Sequence, residues 1–262
     1  MENLTFVDLE EARAARGARM LAASALPSPW TEGAKGIFHV KQLPLRCVRF
    51  RRGDAAQAAW SGARNVPAVL FDDEPGRTGW AEILSLAERL GGAVPLVPAE
   101  PAARVRLFGL AHELAGEDGL GWNARLIMIH GSLASDGARS FPLAVARYLA
   151  AQYGYAPERF EPARRRVADT LALFDRLLAD SRAARHGYLL GERLTALDIY
   201  LATFLTPLVG VTVEECPAMA PQVRPAFEYL GGIVGAGADL PSALVEHRLK
   251  IYREHLRWPI VL

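Results

Sequence analysis

Cysteine is scarce in this chain. Cys47 and Cys216 are the only two, far apart and in unlike surroundings, which excludes a disulfide framework or a cysteine-rich zinc site. Net charge is scarcer still. Against 30 Lys and Arg stand 29 Asp and Glu, leaving +1, so no global field draws the protein to nucleic acid or to an anionic membrane. No apolar run approaches the roughly 18–20 residues needed to span a bilayer. The opening "MENLTFVDLEEARAARGARM" is acidic and mixed, unlike a signal peptide. These absences point to a cytoplasmic protein. There is no internal repeat and no low-complexity tract. His112, with Glu113 and Glu117 nearby, lacks a second histidine four residues on, so the zincin pattern fails and no metal is expected.

What is present is the composition of a folded protein. Hydrophobic residues make up 51% and charged residues 23%, too apolar for disorder, and 262 residues suit one large domain or two small ones.

After Thr5, "LEEARAAR" reads as a short helical extension with Asp8 as its N-cap. "RMLAAS" is short enough to be a buried strand. "WTEGAKGIFHVKQL" has near-helical apolar spacing, "LRCVRF" reads as a strand, and "NVPAVLFDD" as another, opened by a proline that needs no ladder donor there. "TGWAEILSLAERLGG" is an amphipathic helix ended by Gly91 and Gly92. "AVPLVPAEP", with three prolines in nine residues, reads as a linker. Beyond it the pattern changes to long helices with three-to-four-residue apolar spacing. The domains expected are thus an extension over 1–17, a mixed domain over 18–92, a linker over 93–101, and a helical domain with a C-terminal tail over 102–262.

A mixed domain, a proline-rich linker and an all-helical domain, in this order, resemble the glutathione transferases. Three stretches carry the resemblance. "SPWTEGAKGIFHVKQL" looks like the active-site serine, proline, aromatic and helix of the serine-type classes, especially the tau class. "NVPAVLFDD" is similar to the strand opened by a cis-proline, at Val66 and Pro67. "GYLLGERLTALDIYLAT" is similar to the capping box of the helical domain, with Thr195 accepting from the helix-start amides and Asp198 returning a bond to the Thr195 amide. The resemblance implies a thioredoxin-like N-terminal domain followed by a helical C-terminal domain. It also implies a homodimer and a cleft that binds glutathione as co-substrate, with a small hydrophobic molecule as the second substrate.

Glutathione's thiol ionises above neutral pH, so a transferase must stabilise the thiolate. A hydroxyl donor at a helix N-terminus suits that task. Ser28 is placed for it, and is equally suited to cap the helix that follows. In the resemblance, Val66 and Pro67 hold the cysteinyl backbone. Where most glutathione transferases start the next helix with Glu-Ser or Gln-Ser, this chain has Thr78 and Gly79. Their amides can still receive a carboxylate, with Arg77 as a charged partner or a solvated turn residue. Lys41 stands where relatives often have a basic residue near the glycyl carboxylate, or is a solvated helix-end lysine. Trp30 packs under the loop or lines the cleft. Gly116, Gly119 and Gly121 break the helix that faces the cleft, making room beside Trp122 or simply a turn. Trp122, Asn123 and Arg125 are the expected second-substrate wall.

Cys47 is expected to be buried and inert, and Cys216 to lie in a loop. In the tail, Arg248, Lys250, Arg253 and Arg257 interleave with Glu246 and Glu254, which reads as a solvated helix ending in a docked apolar strand rather than a nucleic-acid patch. Two functions from different classes remain: a glutathione-dependent enzyme that conjugates or reductively cleaves a small electrophile, and a non-catalytic ligand-binding or structural protein on the same scaffold.

Overall fold

A computed structural model of the chain describes residues 3–235 and 240–262. Its first part is a four-stranded sheet of β1 (Leu4–Phe6), β2 (Ala18–Ala22), β3 (Leu45–Arg49) and β4 (Ala68–Phe71), in the spatial order β1-β3-β2-β4. β3 runs parallel to both β1 and β2, and β4 is antiparallel to β2. Central β2 is buried at every position, because side chains alternate between two covered faces. Met20, Cys47 and Val69 pack with α2 (Pro29–Val40) and α4 (Trp80–Arg89). Leu21, Val48 and Ala68 face a smaller cluster that includes Ala12 of α1 (Leu9–Ala14), beside Trp60 of α3 (Ala55–Ser61).

The N-terminal stretch does more than the expected helical extension. Asp8 caps α1 through a 2.8 Å bond from the Glu11 amide, as the sequence suggests, but residues 4–6 also add an edge strand to the sheet. Three residues are too few for periodicity to register. Helix α3 is likewise a finding of the structure, started by Asp54, whose carboxylate accepts from the Ala56 and Gln57 amides.

The second part is helical: α5 (Pro101–Ala115), α6 (Leu120–Leu133), α7 (Leu143–Tyr153), α8 (Phe160–Ala183), α9 (Ala196–Val209), α10 (Arg224–Gly235) and α11 (Ser242–His255). Helix α9 is its axis, buried from Ala196 to Leu208. Its start is held by Asp198, fully buried, which accepts from the Leu189 and Thr195 amides at 2.9 Å and from the Thr195 hydroxyl at 2.8 Å. Thr195 and Asp198 thus form the expected capping box, with the Thr195 hydroxyl also donating to the carboxylate. His247 Nε2 lies 3.2 Å from the same carboxylate.

The tail departs from expectation in two ways. Residues 256–262 form no strand but an irregular segment that buries Ile260 and Leu262. Arg248 is not solvated: it is 1% exposed, lies beside the Tyr252 ring, and donates to Thr206 Oγ1. Among the described residues no helix is long and apolar enough to cross a membrane.

Candidate active site

Between the sheet and the helices lies a cleft of about 700 Å³, within the range of small-molecule sites. Its sheet-side wall comes from the loops that follow β2 and β3 and precede β4, because loops at strand ends carry side chains that no ladder consumes. Its other wall comes from α6, Phe141 and α7.

Ser28 is the residue before α2, with an extended backbone whose carbonyl accepts the Glu32 amide at 2.8 Å. Its hydroxyl does not cap the helix and makes no hydrogen bond among the described residues. It lines the cleft instead, 7% exposed, beside a helix N-terminus whose dipole favours an anion. Ser28 thus holds the N-cap position of α2 by its backbone, while its hydroxyl stays uncommitted to the helix.

Val66, Pro67 and Thr78 line the same cleft. The Val66–Pro67 peptide is cis, and the Val66 N–H and C=O make no hydrogen bond among the described residues. The start of α4 is occupied differently from expectation: the Gly79 amide donates at 3.2 Å to Oε2 of Glu82, from the helix's own first turn. Arg77 is held by Glu74, which also pairs with Arg89, and is not on the cleft lining. Lys41 is neither solvated nor at the cleft. Only 2% exposed, it sends its amino group to Glu88 at 2.8 Å and to the Val94 carbonyl at 3.0 Å.

On the helical side, Trp122 and Arg125 reach the cleft and Asn123 does not. One position from Trp122 and two from Arg125, Asn123 turns back to bind Asp118 and the Gly119 carbonyl, fastening the turn between α5 and α6. Gly121 has a packing role: a Cβ there would stand 2.4 Å from Phe204 and 2.9 Å from Trp30. Trp30 lines the cleft and packs edge-on against Phe204 at 5.0 Å, and its indole N–H donates to the Ala115 carbonyl at 2.8 Å.

Several lining residues carry no motif. Arg52 and Arg64 stand on the sheet side, and Tyr148 and Tyr153 come from α7. A signal for α7 exists in the sequence: Val145, Leu149, Gln152 and Tyr153 form one helical stripe that lines the cleft, while Ala146 is that helix's buried residue.

Neither cysteine is available for chemistry. Both are buried, and desolvation pushes the Cys47 thiol up to about 12 and the Cys216 thiol to about 11. Among the described residues no cluster of three or more His, Cys, Asp or Glu could hold a metal. Glu113, from the histidine-containing stretch, pairs with Arg166 at 2.8 Å.

The architecture matches solved structures over nearly the whole chain. A glutathione transferase family member from Pseudomonas fluorescens Pf-5, with two glutathione bound, is 16% identical; the match has a TM-score of 0.63 and covers 91% of this chain and 89% of that one. The chain has the glutathione transferase fold. A glutathione S-transferase domain-containing protein from Marinobacter aquaeolei VT8 is also 16% identical, with a TM-score of 0.60 and coverage of 91% and 100%. A β-etherase from Sphingobium sp. strain SYK-6 is 15% identical, with a TM-score of 0.56 and coverage of 89% and 99%. Residues 144–231 match the family model for the glutathione S-transferase C-terminal domain. No curated protein matches the sequence. In glutathione transferase terms the sheet is the thioredoxin-like domain and α5 to α11 are the helical domain, with β1 an added edge strand and the cleft between the two.

Proposed function

We propose that this chain is a cytoplasmic, homodimeric glutathione transferase of the serine type. It conjugates or reductively cleaves a small apolar electrophile, on a thioredoxin-like domain over 18–92 joined through 93–101 to a helical domain over 102–262. The observation that carries the reading is the uncommitted Ser28 hydroxyl at the start of α2, on one cleft with Val66, Pro67 and Thr78. Glutathione bound in structures of the same fold supports it.

Ser28 donates to the glutathione sulfur once the thiol proton has left to solvent, and the α2 dipole favours the same charge. The free N–H and C=O of Val66 hold the cysteinyl backbone. Thr78 and the amide of Gly79 take the γ-glutamyl carboxylate. In conjugation a sulfur lone pair forms the new S–C bond, and the leaving group departs with its electron pair. In reductive cleavage a second glutathione thiolate takes the sulfur of that conjugate to give the disulfide, and the carbon receives the S–C pair and a proton.

Glutathione titration by calorimetry, followed by conjugation to a generic aryl halide, tests the proposal. Millimolar binding and turnover that drops at least tenfold in Ser28→Ala are expected. Absence of binding at millimolar glutathione refutes it. One observation favours the second reading, a ligand carrier: Glu82 already occupies the helix start that would receive the γ-glutamyl carboxylate. A carrier would bind apolar ligands and not glutathione.

A further inference from the structure

The far wall of the cleft holds a charge without a counter-charge. Arg125 is 8% exposed and lines the cleft. Among the described residues its guanidinium forms no salt bridge and no hydrogen bond, and its Nε is buried without an acceptor. Its contacts are with two rings, 5.3 Å from the Phe141 centroid and 5.9 Å from that of Tyr153. Tyr153 in turn packs against Trp122, ring centroids 4.6 Å apart and planes tilted by 54°. Two ring faces offset only a small part of what removing an ion from water costs. Arginines this deeply buried are normally paired.

The rest of the cleft does not supply the missing anion. Among the described residues Glu117 is the only carboxylate on its lining; it is exposed, and no ion pair joins it to Arg125. Arg52 and Arg64 add two more cations on the opposite wall. Arg125 sits against the Phe141 and Tyr153 rings, which present apolar faces beside it. A planar fork among aromatic faces fits a carboxylate on a flat apolar body, the fork meeting both oxygens while the rings cover the body.

We infer that the cleft takes an acidic aromatic co-substrate, whose carboxylate pairs with Arg125 against the wall of Trp122, Phe141 and Tyr153. Calling this ligand a co-substrate rests on the transferase reading above; the subsite itself is measured without it.

The test compares naphthoate with neutral naphthamide, read by quenching of tryptophan fluorescence and by calorimetry, with glutathione titrated separately. The wild type should bind the acid at least about tenfold more tightly than the amide, the size of one charge-assisted hydrogen-bonding contact. In Arg125→Met that preference should fall to about one, while affinities for naphthamide and glutathione stay within about twofold. Equal wild-type affinities for acid and amide overturn the inference, as does a preference that survives in Arg125→Met. Loss of glutathione affinity in that variant also overturns it, because the anion would then be glutathione's own carboxylate. Should Arg125→Met not fold, Arg125→Lys carries the test: loss of the fork should cut the preference several-fold, and an unchanged preference overturns it. A wild type that prefers naphthoate but ignores glutathione sinks the transferase reading and leaves the subsite standing.

Discussion

Replacing Glu82 by glutamine should strengthen glutathione binding and weaken the fold, two effects of opposite sign from one charge. Glu82 stands on the first turn of α4, and its carboxylate accepts the Gly79 amide at 3.2 Å. A negative charge there stabilises a helix by about 0.3–1 kcal/mol. In the proposed site the γ-glutamyl carboxylate approaches the same amide, within about 4 Å of that charge. At such a distance like charges repel by about 1 kcal/mol in water and about 4 kcal/mol near a protein surface. Because the Gly79–Glu82 contact is exposed, the lower figure applies, and about 1 kcal/mol corresponds to roughly fivefold in affinity. Glutamine keeps an acceptor for the amide, so Glu82→Gln removes the charge and leaves the helix start capped. Calorimetric titration of glutathione into both proteins should show the variant binding about fivefold more tightly, with the difference shrinking in 1 M salt, where the Debye length is about 3 Å. Thermal unfolding should show the variant slightly less stable. Glutathione affinity that is unchanged or weaker in Glu82→Gln would refute the assignment of this helix start to the γ-glutamyl end.

Asp198→Ala should cost about 3–5 kcal/mol, since it strands buried donors at Leu189 and Thr195. At about 2–4 °C per kcal/mol for a chain of this size, calorimetry should register a fall in Tm of roughly ten degrees; a fall of only a degree or two would contradict the role given to this carboxylate. Cys47 and Cys216, buried and with raised thiol pKa values, should resist an aromatic disulfide reagent at pH 8 until the protein is unfolded; rapid labelling of native protein would contradict their burial. Burial holds His39, His130 and His255 below the usual 6.5, Arg257 adding to the effect at His39. For these groups the unfolded chain binds more protons than the folded one, so stability is intact above about pH 6.5 and is lost as pH falls through it. A Tm that holds or rises between pH 7.5 and 5.5 would show that these rings do not titrate as the packing dictates.

The long helices were legible because each carries an apolar stripe long enough to count, and α9 because its burial makes it apolar nearly all round. The strand at residues 4–6 and helix α3 were not, since neither is long enough for its period to stand out. The tail misled for a different reason. Its apolar residues find pockets rather than a ladder, and Arg248 finds Thr206 and Tyr252, partners more than 40 positions away or on its own helix that no local pattern reveals. At the site, the family resemblance grouped Ser28, Val66, Pro67 and Thr78, and all four line one cleft. It could not tell that Lys41 and Arg77 are taken by Glu88 and Glu74, because ion pairing depends on which carboxylate the fold delivers. Nor could it tell Asn123 from its neighbours Trp122 and Arg125, which differ only in the direction they leave α6.

The C-terminal segment carries a mechanical consequence for that cleft. Lys35 donates to the Val261 carbonyl and Arg49 to that of Leu262, both from the thioredoxin-like domain. Arg257 donates to the carbonyl of Leu4, and the Ile260 amide returns to Glu215 of the helical domain. The chain therefore crosses between its domains twice, once through the linker and once through this returning end, like a door fastened along two edges. Domains joined by one linker and a modest interface swing by default; these two cannot part without undoing the second fastening. The Arg52 guanidinium, 4.5 Å from the Tyr148 ring, adds a contact between the two domains at the lining of the cleft itself.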